Sequence, residues 1–134
     1  MNKTALITGA SCGLGAEFAR IHASKGDNLV LVARSKEKMD ALKMDLEKQF
    51  GISVSVIAKD LSESLAPQAI YYELHQQKIT VDYLINNAGF GDFGAFADCN
   101  WERQLEMINL NITALAYLTR LFLPEMIDRK FEKC

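Results

Sequence analysis

Thr8-Gly9-Ala10-Ser11-Cys12-Gly13-Leu14-Gly15 follows directly on the apolar run Ala5-Leu6-Ile7. A short buried strand, a glycine-rich turn and the start of a helix are written in that order. Without a Cβ at Gly9, Gly13 and Gly15, the backbone can turn tightly and come close to a bound group. The helix that follows offers unpaired N–H groups and the positive end of its dipole, which suits an anion such as a dinucleotide pyrophosphate. An ordinary strand-to-helix turn would use the same residues, so the flanking sequence must decide.

That sequence alternates strand and helix patterns. A strand over 4–8 leads into a helix over 14–24, with Leu14, Phe18, Ile21 and His22 at helical spacing. Lys25-Gly26-Asp27-Asn28 is a turn, with Gly26 placed as the helix C-cap. Leu29-Val30-Leu31-Val32-Ala33 is a second strand, apolar on both faces as a helix-covered parallel sheet requires. A helix over 35–49 buries Met39, Leu42 and Leu46, with Ser35 as N-cap and Gly51 at its end. A β-branched strand over 52–58, a helix over 65–77 and the strand Tyr83-Leu84-Ile85 follow. Residues 89–94 are a glycine-rich loop. A long helix is expected over 100–129, with Leu105, Ile108, Ile112, Leu115, Leu118 and Phe122 at helical spacing. Leu110, Leu121 and Leu123 widen its apolar face, so it is either deeply buried or shared with a partner. Pro124 is expected to bend it or end it early. The order β-α-β-α-β-α-β with short connections places the chain in the α/β class, as a doubly wound parallel sheet with helices on both faces.

The 134 residues make a single domain, 1–134, with 49% apolar residues and a formal net charge of −2. No basic stripe points to nucleic acid, and no run of about 18 apolar residues points to a membrane span. Met1-Asn2-Lys3 enters a strand directly, without a signal-peptide pattern. Cys12, Cys99 and Cys134 are odd in number and lack an accompanying histidine cluster. Metal and disulfide chemistry are therefore not expected, and the cytoplasm is the expected compartment.

Nucleotide choice is written at the end of the second strand, Val32-Ala33-Arg34-Ser35. An acidic residue there would hold ribose hydroxyls, as NAD requires, whereas a nearby arginine accommodates the 2′-phosphate of NADP. Ala33 carries no carboxylate, and Arg34 is either a planar bidentate phosphate ligand or a solvated surface arginine. NADP rather than NAD is the expected cofactor.

Together with Thr8-Gly9-Ala10-Ser11-Cys12-Gly13-Leu14-Gly15, the pair Asp60-Leu61 and the turn Asn86-Asn87-Ala88-Gly89 resemble the short-chain dehydrogenase/reductase family. The stretches Met107-Ile108-Asn109-Leu110-Asn111-Ile112 and Leu121-Phe122-Leu123-Pro124-Glu125-Met126 extend that resemblance along essentially the whole chain. It implies a Rossmann-type fold, with strands in the order 3-2-1-4. It places Gly9, Ser11, Cys12, Gly13, Leu14, Gly15 and Arg34 on the cofactor and lays Asp60 and Leu61 against the adenine. Asn86, Ala88 and Gly89 become cofactor neighbours, and Asn111 matches the asparagine that helps hold a water in the proton relay. Cys12 stands where some NADP-preferring relatives carry a basic residue, so preference rests on Arg34 alone.

The family's reaction is reversible hydride transfer between a nicotinamide and a carbonyl or alcohol, and it uses a Ser and a Tyr-x-x-x-Lys pair. Tyr71, Tyr72, Tyr83 and Tyr117 are followed four positions on by His75, Gln76, Asn87 and Leu121. The chain ends at Cys134, where the resemblance would bring a fifth strand and the serine. Losing general acid–base help typically costs roughly 100- to 10,000-fold. The expectation is therefore an NADP-dependent oxidoreductase by family that is inactive alone, its sheet truncated after the fourth strand and the long helix. The alternatives are a non-catalytic NADP-binding or interaction module, or a gene fragment without selected function. Expected partners are a small carbonyl or alcohol substrate in the complete enzyme, and a second copy through the long helix or a C-terminal half. The unpaired edge of the fourth strand is an association hazard.

Other polar residues carry less. Ser11 is a turn residue or a cofactor contact, and Lys36, Glu37 and Lys38 read as an ordinary solvated helix start, although Ser35 or Lys36 could add a phosphate contact. His22 and His75 lie in helices without an acidic or cysteine constellation. Asp92, Asp98 and Glu102 read as solvated charges, and Phe90, Phe93 and Phe96 as core or substrate-loop residues.

Overall fold

The structure is a computed structural model that describes residues 2–89, 96–98 and 100–133. Strands β1 (Thr4–Thr8), β2 (Asn28–Ala33), β3 (Val54–Ala58) and β4 (Tyr83–Ile85) form one parallel sheet in the order β3-β2-β1-β4. Helices α1 (Gly13–Ser24), α2 (Lys36–Phe50) and α3 (Ala66–Gln76) connect them. Beyond β4 come a 3-10 turn (Phe96–Asp98), α4 (Trp101–Ile108), a π-helical turn (Asn109–Ala114) and α5 (Leu115–Lys133). The strand order 3-2-1-4 and the Rossmann-type architecture are those read from the sequence.

Strand alternation divides the core in two. Ala5, Ile7, Leu29 and Leu31 point to one face, where Ala19 and Ala23 of α1 and Met39, Leu42 and Leu46 of α2 cover them. Leu6, Val30, Val32 and Ile57 point to the other, beneath Ile70 and Leu74 of α3 and Leu118 and Phe122 of α5. Both faces are dry, which is why β1 and β2 read as continuous apolar runs.

The helix signals divide into those that held and those that did not. Ser35 Oγ accepts from Lys38 N at 3.5 Å, and Gly51 closes α2 at φ 68°. Gly26 turns the chain after α1 at φ 87°. Leu14 and Ile21, however, are 69% and 49% exposed, and α1 buries Gly15, Ala19 and Ala23 instead. Small residues let that helix lie close to the sheet, and apolar spacing gives them no weight.

Pro124 neither ends nor shortens the last helix, because α5 continues through it to Lys133. The long helix is also not continuous α-helix. A π turn takes more residues than an α turn, so the apolar phase before it does not carry across. Ala114, Leu118 and Phe122 are buried, whereas Leu105, Ile108, Ile112 and Leu115 stay exposed. α5 is pinned to α3 by Glu125, whose Oε1 accepts from the Tyr71 hydroxyl at 2.7 Å and lies 3.0 Å from His75 Nε2.

Candidate functional site

β1 delivers Thr8, a polar side chain 1% exposed within the sheet. Its Oγ1 accepts from the backbone N–H groups of Asn87 and Ala88, each at 2.9 Å, and donates to Ile85 O at 3.4 Å. The glycine turn after β1 is thereby tied to the Asn86-Asn87-Ala88-Gly89 turn after β4. Asn87 Nδ2 adds a bond to Gly9 O at 3.3 Å.

The glycines have different jobs in this junction. A Cβ on Gly15 would lie 2.1 Å from Gly9 O, and one on Gly9 would lie 3.0 Å from Ala88 Cα. These two let the protein close on itself. Gly13 has φ 60° with open space where its Cβ would be, so it serves the backbone conformation at the start of α1.

Beside this junction, at the C-terminal ends of the strands, lies a cleft of about 510 Å³. Of the residues singled out from the sequence, it brings together Gly9, Ser11, Cys12, Arg34, Ser35, Asp60, Leu61, Ala88 and Gly89. Gly13, Leu14 and Gly15 form the first turn of α1 behind it. Asn86 is directed elsewhere: its Nδ2 donates to Thr119 Oγ1 at 3.2 Å, joining the end of β4 to α5. Asn111 stands on the π turn, and a Cβ on Gly89 would lie 2.7 Å from its Oδ1. Gly89 thus lets the cleft's rim meet that asparagine.

Charge on the cleft walls is mixed but ordered. Arg34, Lys38 and Lys59 come from the ends of β2 and β3 and the start of α2, facing Asp60 and Glu106. Asp60 Oδ1 accepts from Ser62 N at 2.9 Å and Ser62 Oγ at 2.7 Å. The Ser62 hydroxyl bond, helped by the Ser62 amide and the Arg34 charge, holds the Asp60 carboxyl below the usual carboxylate range. Lys36 does not reach the cleft and instead donates to Asp40 at 2.8 Å.

Sequence reasoning missed Thr8, Asn87, Lys38, Lys59, Ser62, Glu106 and Leu110. Thr8, Asn87, Lys38, Lys59, Ser62 and Leu110 stand within four residues of positions singled out from the sequence, which was the available signal; which of them reach the cleft depends on packing. Phe90, Asp92, Phe93, Cys99 and Cys134 lie outside the described residues. Among the described residues, no cluster of three His, Cys, Asp or Glu could hold a metal, and no helix is long and apolar enough to cross a membrane.

A shape this specific invites comparison with known proteins. The family model for short chain dehydrogenases matches residues 3–132. A very-long-chain 3-oxoacyl-CoA reductase of Phaeosphaeria nodorum is 36% identical over 130 residues, covering 94% of this chain and 38% of its own length. A short-chain dehydrogenase of Sphingobium yanoikuyae in complex with NADPH superposes with a TM-score of 0.88 at 37% identity, over 95% of this chain and 49% of that one. L-Sorbose reductase of Gluconobacter frateurii, complexed with NADPH and L-sorbose, gives 0.89 at 30% identity, over 96% and 49%. The chain spans about half the length of these solved structures, and less of the reductase.

Proposed function

The chain belongs to the short-chain dehydrogenase family, and on that premise we propose that it is the NADP-binding part of an oxidoreductase acting on a carbonyl or alcohol. The observation that carries the proposal is the end of β2, where Ala33 offers no carboxylate and Arg34 lines the cleft. A guanidinium pairs two N–H donors with phosphate oxygens, and Ala33 places no carboxylate beside it in the chain. NADPH in two solved relatives supports the same choice.

The residues present fit a dinucleotide. The first turn of α1 supplies backbone N–H groups for a pyrophosphate, and Asp60 and Leu61 border the adenosine end of the cleft. Ala88 lies beside Leu61, and Gly89 stands next to Asn111. When bound, the cofactor supplies the hydride. In the family's pattern Asn111 steadies a water in the proton relay. No tyrosine in this chain has a lysine four positions on, so we assign it cofactor binding and that asparagine, and leave the proton donor to other residues.

Titrating NADPH and NADH against the full chain, followed by nicotinamide fluorescence, tests the assignment. NADPH should bind at least about 10-fold tighter, the size of one charge-assisted contact. Arg34→Asp should reverse the order. Failure to bind either nucleotide at millimolar concentration, or an unchanged ratio in the variant, would overturn it.

A further inference from the structure

We propose that Lys38, in the first turn of α2, is a second phosphate ligand that shares with Arg34 the selection of a 2′-phosphorylated adenosine. It rests on the NADP assignment above and deepens it. A phosphomonoester at neutral pH carries a charge of roughly −1.5 to −2. One guanidinium leaves much of that charge uncompensated, and a second cation within the same cleft lowers its energy further.

Four cations lie near the end of β2, and the fold makes them unequal. Lys36 is spent on Asp40. Lys59 also lines the cleft, but it arrives from the end of β3, on a different segment from Arg34. Arg34 and Lys38 both line the cleft, and neither makes an ion pair among the described residues. They are brought together by a single local device. Ser35 caps α2 and accepts from the Lys38 amide, which fixes the helical phase from its first turn. Two residues further round the helix than Lys36, Lys38 is placed on the cleft wall. The N-terminus of the 15-residue α2 adds positive potential at the same spot. The Asp60 carboxylate, the nearest acid in sequence to Lys59, is turned into its hydrogen bonds with Ser62.

The test compares the wild-type chain with Lys38→Gln and Lys36→Gln. The probes are NADPH and NADH by fluorescence, and 2′,5′-ADP and 5′-AMP by calorimetry. Lys38→Gln should weaken NADPH and 2′,5′-ADP by about 5-fold, the upper end for a partly solvated charge pair. NADH and 5′-AMP should stay within about 2-fold, as should every affinity of Lys36→Gln. An unchanged NADPH affinity in Lys38→Gln, or equal losses for both nucleotides, would overturn the role of Lys38 while leaving Arg34 and NADP standing. A wild-type chain without preference for NADPH would bring down both assignments. Because Lys38 makes no ion pair among the described residues, the unfolding curve of Lys38→Gln should overlay that of the wild type, which separates lost recognition from lost folding.

Discussion

The two ends of the same four strands are built in opposite ways. At the N-terminal end, charges are matched. Asp82 Oδ2 accepts from Thr4 N at 2.9 Å, its Oδ1 lies 3.7 Å from Arg129 Nε, and Arg129 also donates to Val81 O. His22 pairs with Asp27 at 2.8 Å, and Lys3 lies over the Tyr83 ring. At the C-terminal end, Arg34, Lys38 and Lys59 line an open cleft without ion-pair partners among the described residues. Ion pairs close one end of the sheet, and at the other three cations against Asp60 and Glu106 leave an excess of positive charge for a ligand. The cleft also lies where β2 and β4 depart to opposite sides of β1, the place at which open α/β sheets bind ligands.

The strongest way to break this contrast is Gly15→Ala. The new Cβ would have to displace the Gly9 carbonyl, a backbone group that cannot yield cheaply. We expect a loss of about 3 kcal/mol together with nucleotide binding, seen as a fall in melting temperature. An unchanged melt would mean that the turn is not packed as described.

Thr8→Val should come next. It leaves the Ala88 amide without its acceptor, at about 1–3 kcal/mol for a buried group, and the Asn87 amide with the Ile85 carbonyl alone. A lower urea midpoint at unchanged slope should appear together with weaker NADPH binding, since the same bonds hold the cleft wall. Loss of stability with full binding would separate Thr8 from the site.

At the other end, Asp82→Ala should cost about 1 kcal/mol by removing the acceptor of Thr4 N and the partner of Arg129. NADPH affinity should not move. A proportional loss of affinity would show that the two ends are coupled and would weaken the contrast.

The smallest effect is a pH dependence. The carboxyl of Asp60 is held below its ordinary value of 3.8, chiefly by the Ser62 hydroxyl. A lowered folded-state value contributes stability that is present above the unfolded value and lost as pH falls through the folded one. The stability gap between wild type and Ser62→Ala should therefore be level from neutral pH down to about pH 5 and shrink on further acidification. Denaturant midpoints measured across that range check it, and a gap that widens in acid would contradict the assigned cause.

Much of the fold was legible because strands and helices use different apolar periods, and because Gly26, Gly51 and Ser35 mark helix ends by local chemistry. Local chemistry also exposed the glycine turn and Arg34. The misses share one cause, which is dependence on distant chain. Leu14 looked like a core residue by spacing, but the sheet accepts only the small face of α1. Pro124 looked like a terminator, but the packing of Leu118 and Phe122 on the sheet and the Glu125 bonds hold α5 together on both sides of it.

The sequence by itself determined the strand–turn–helix order, the glycine turn and the absence of an acid after β2, since each is read from neighbours along the chain. Only the tertiary structure decided which glycines face protein and which faces open space. It also showed that Thr8 ties two turns nearly eighty residues apart, and that Lys38 rather than Lys36 joins Arg34. Such assignments depend on the angle at which a helix or strand arrives, and only the packed sheet sets that angle.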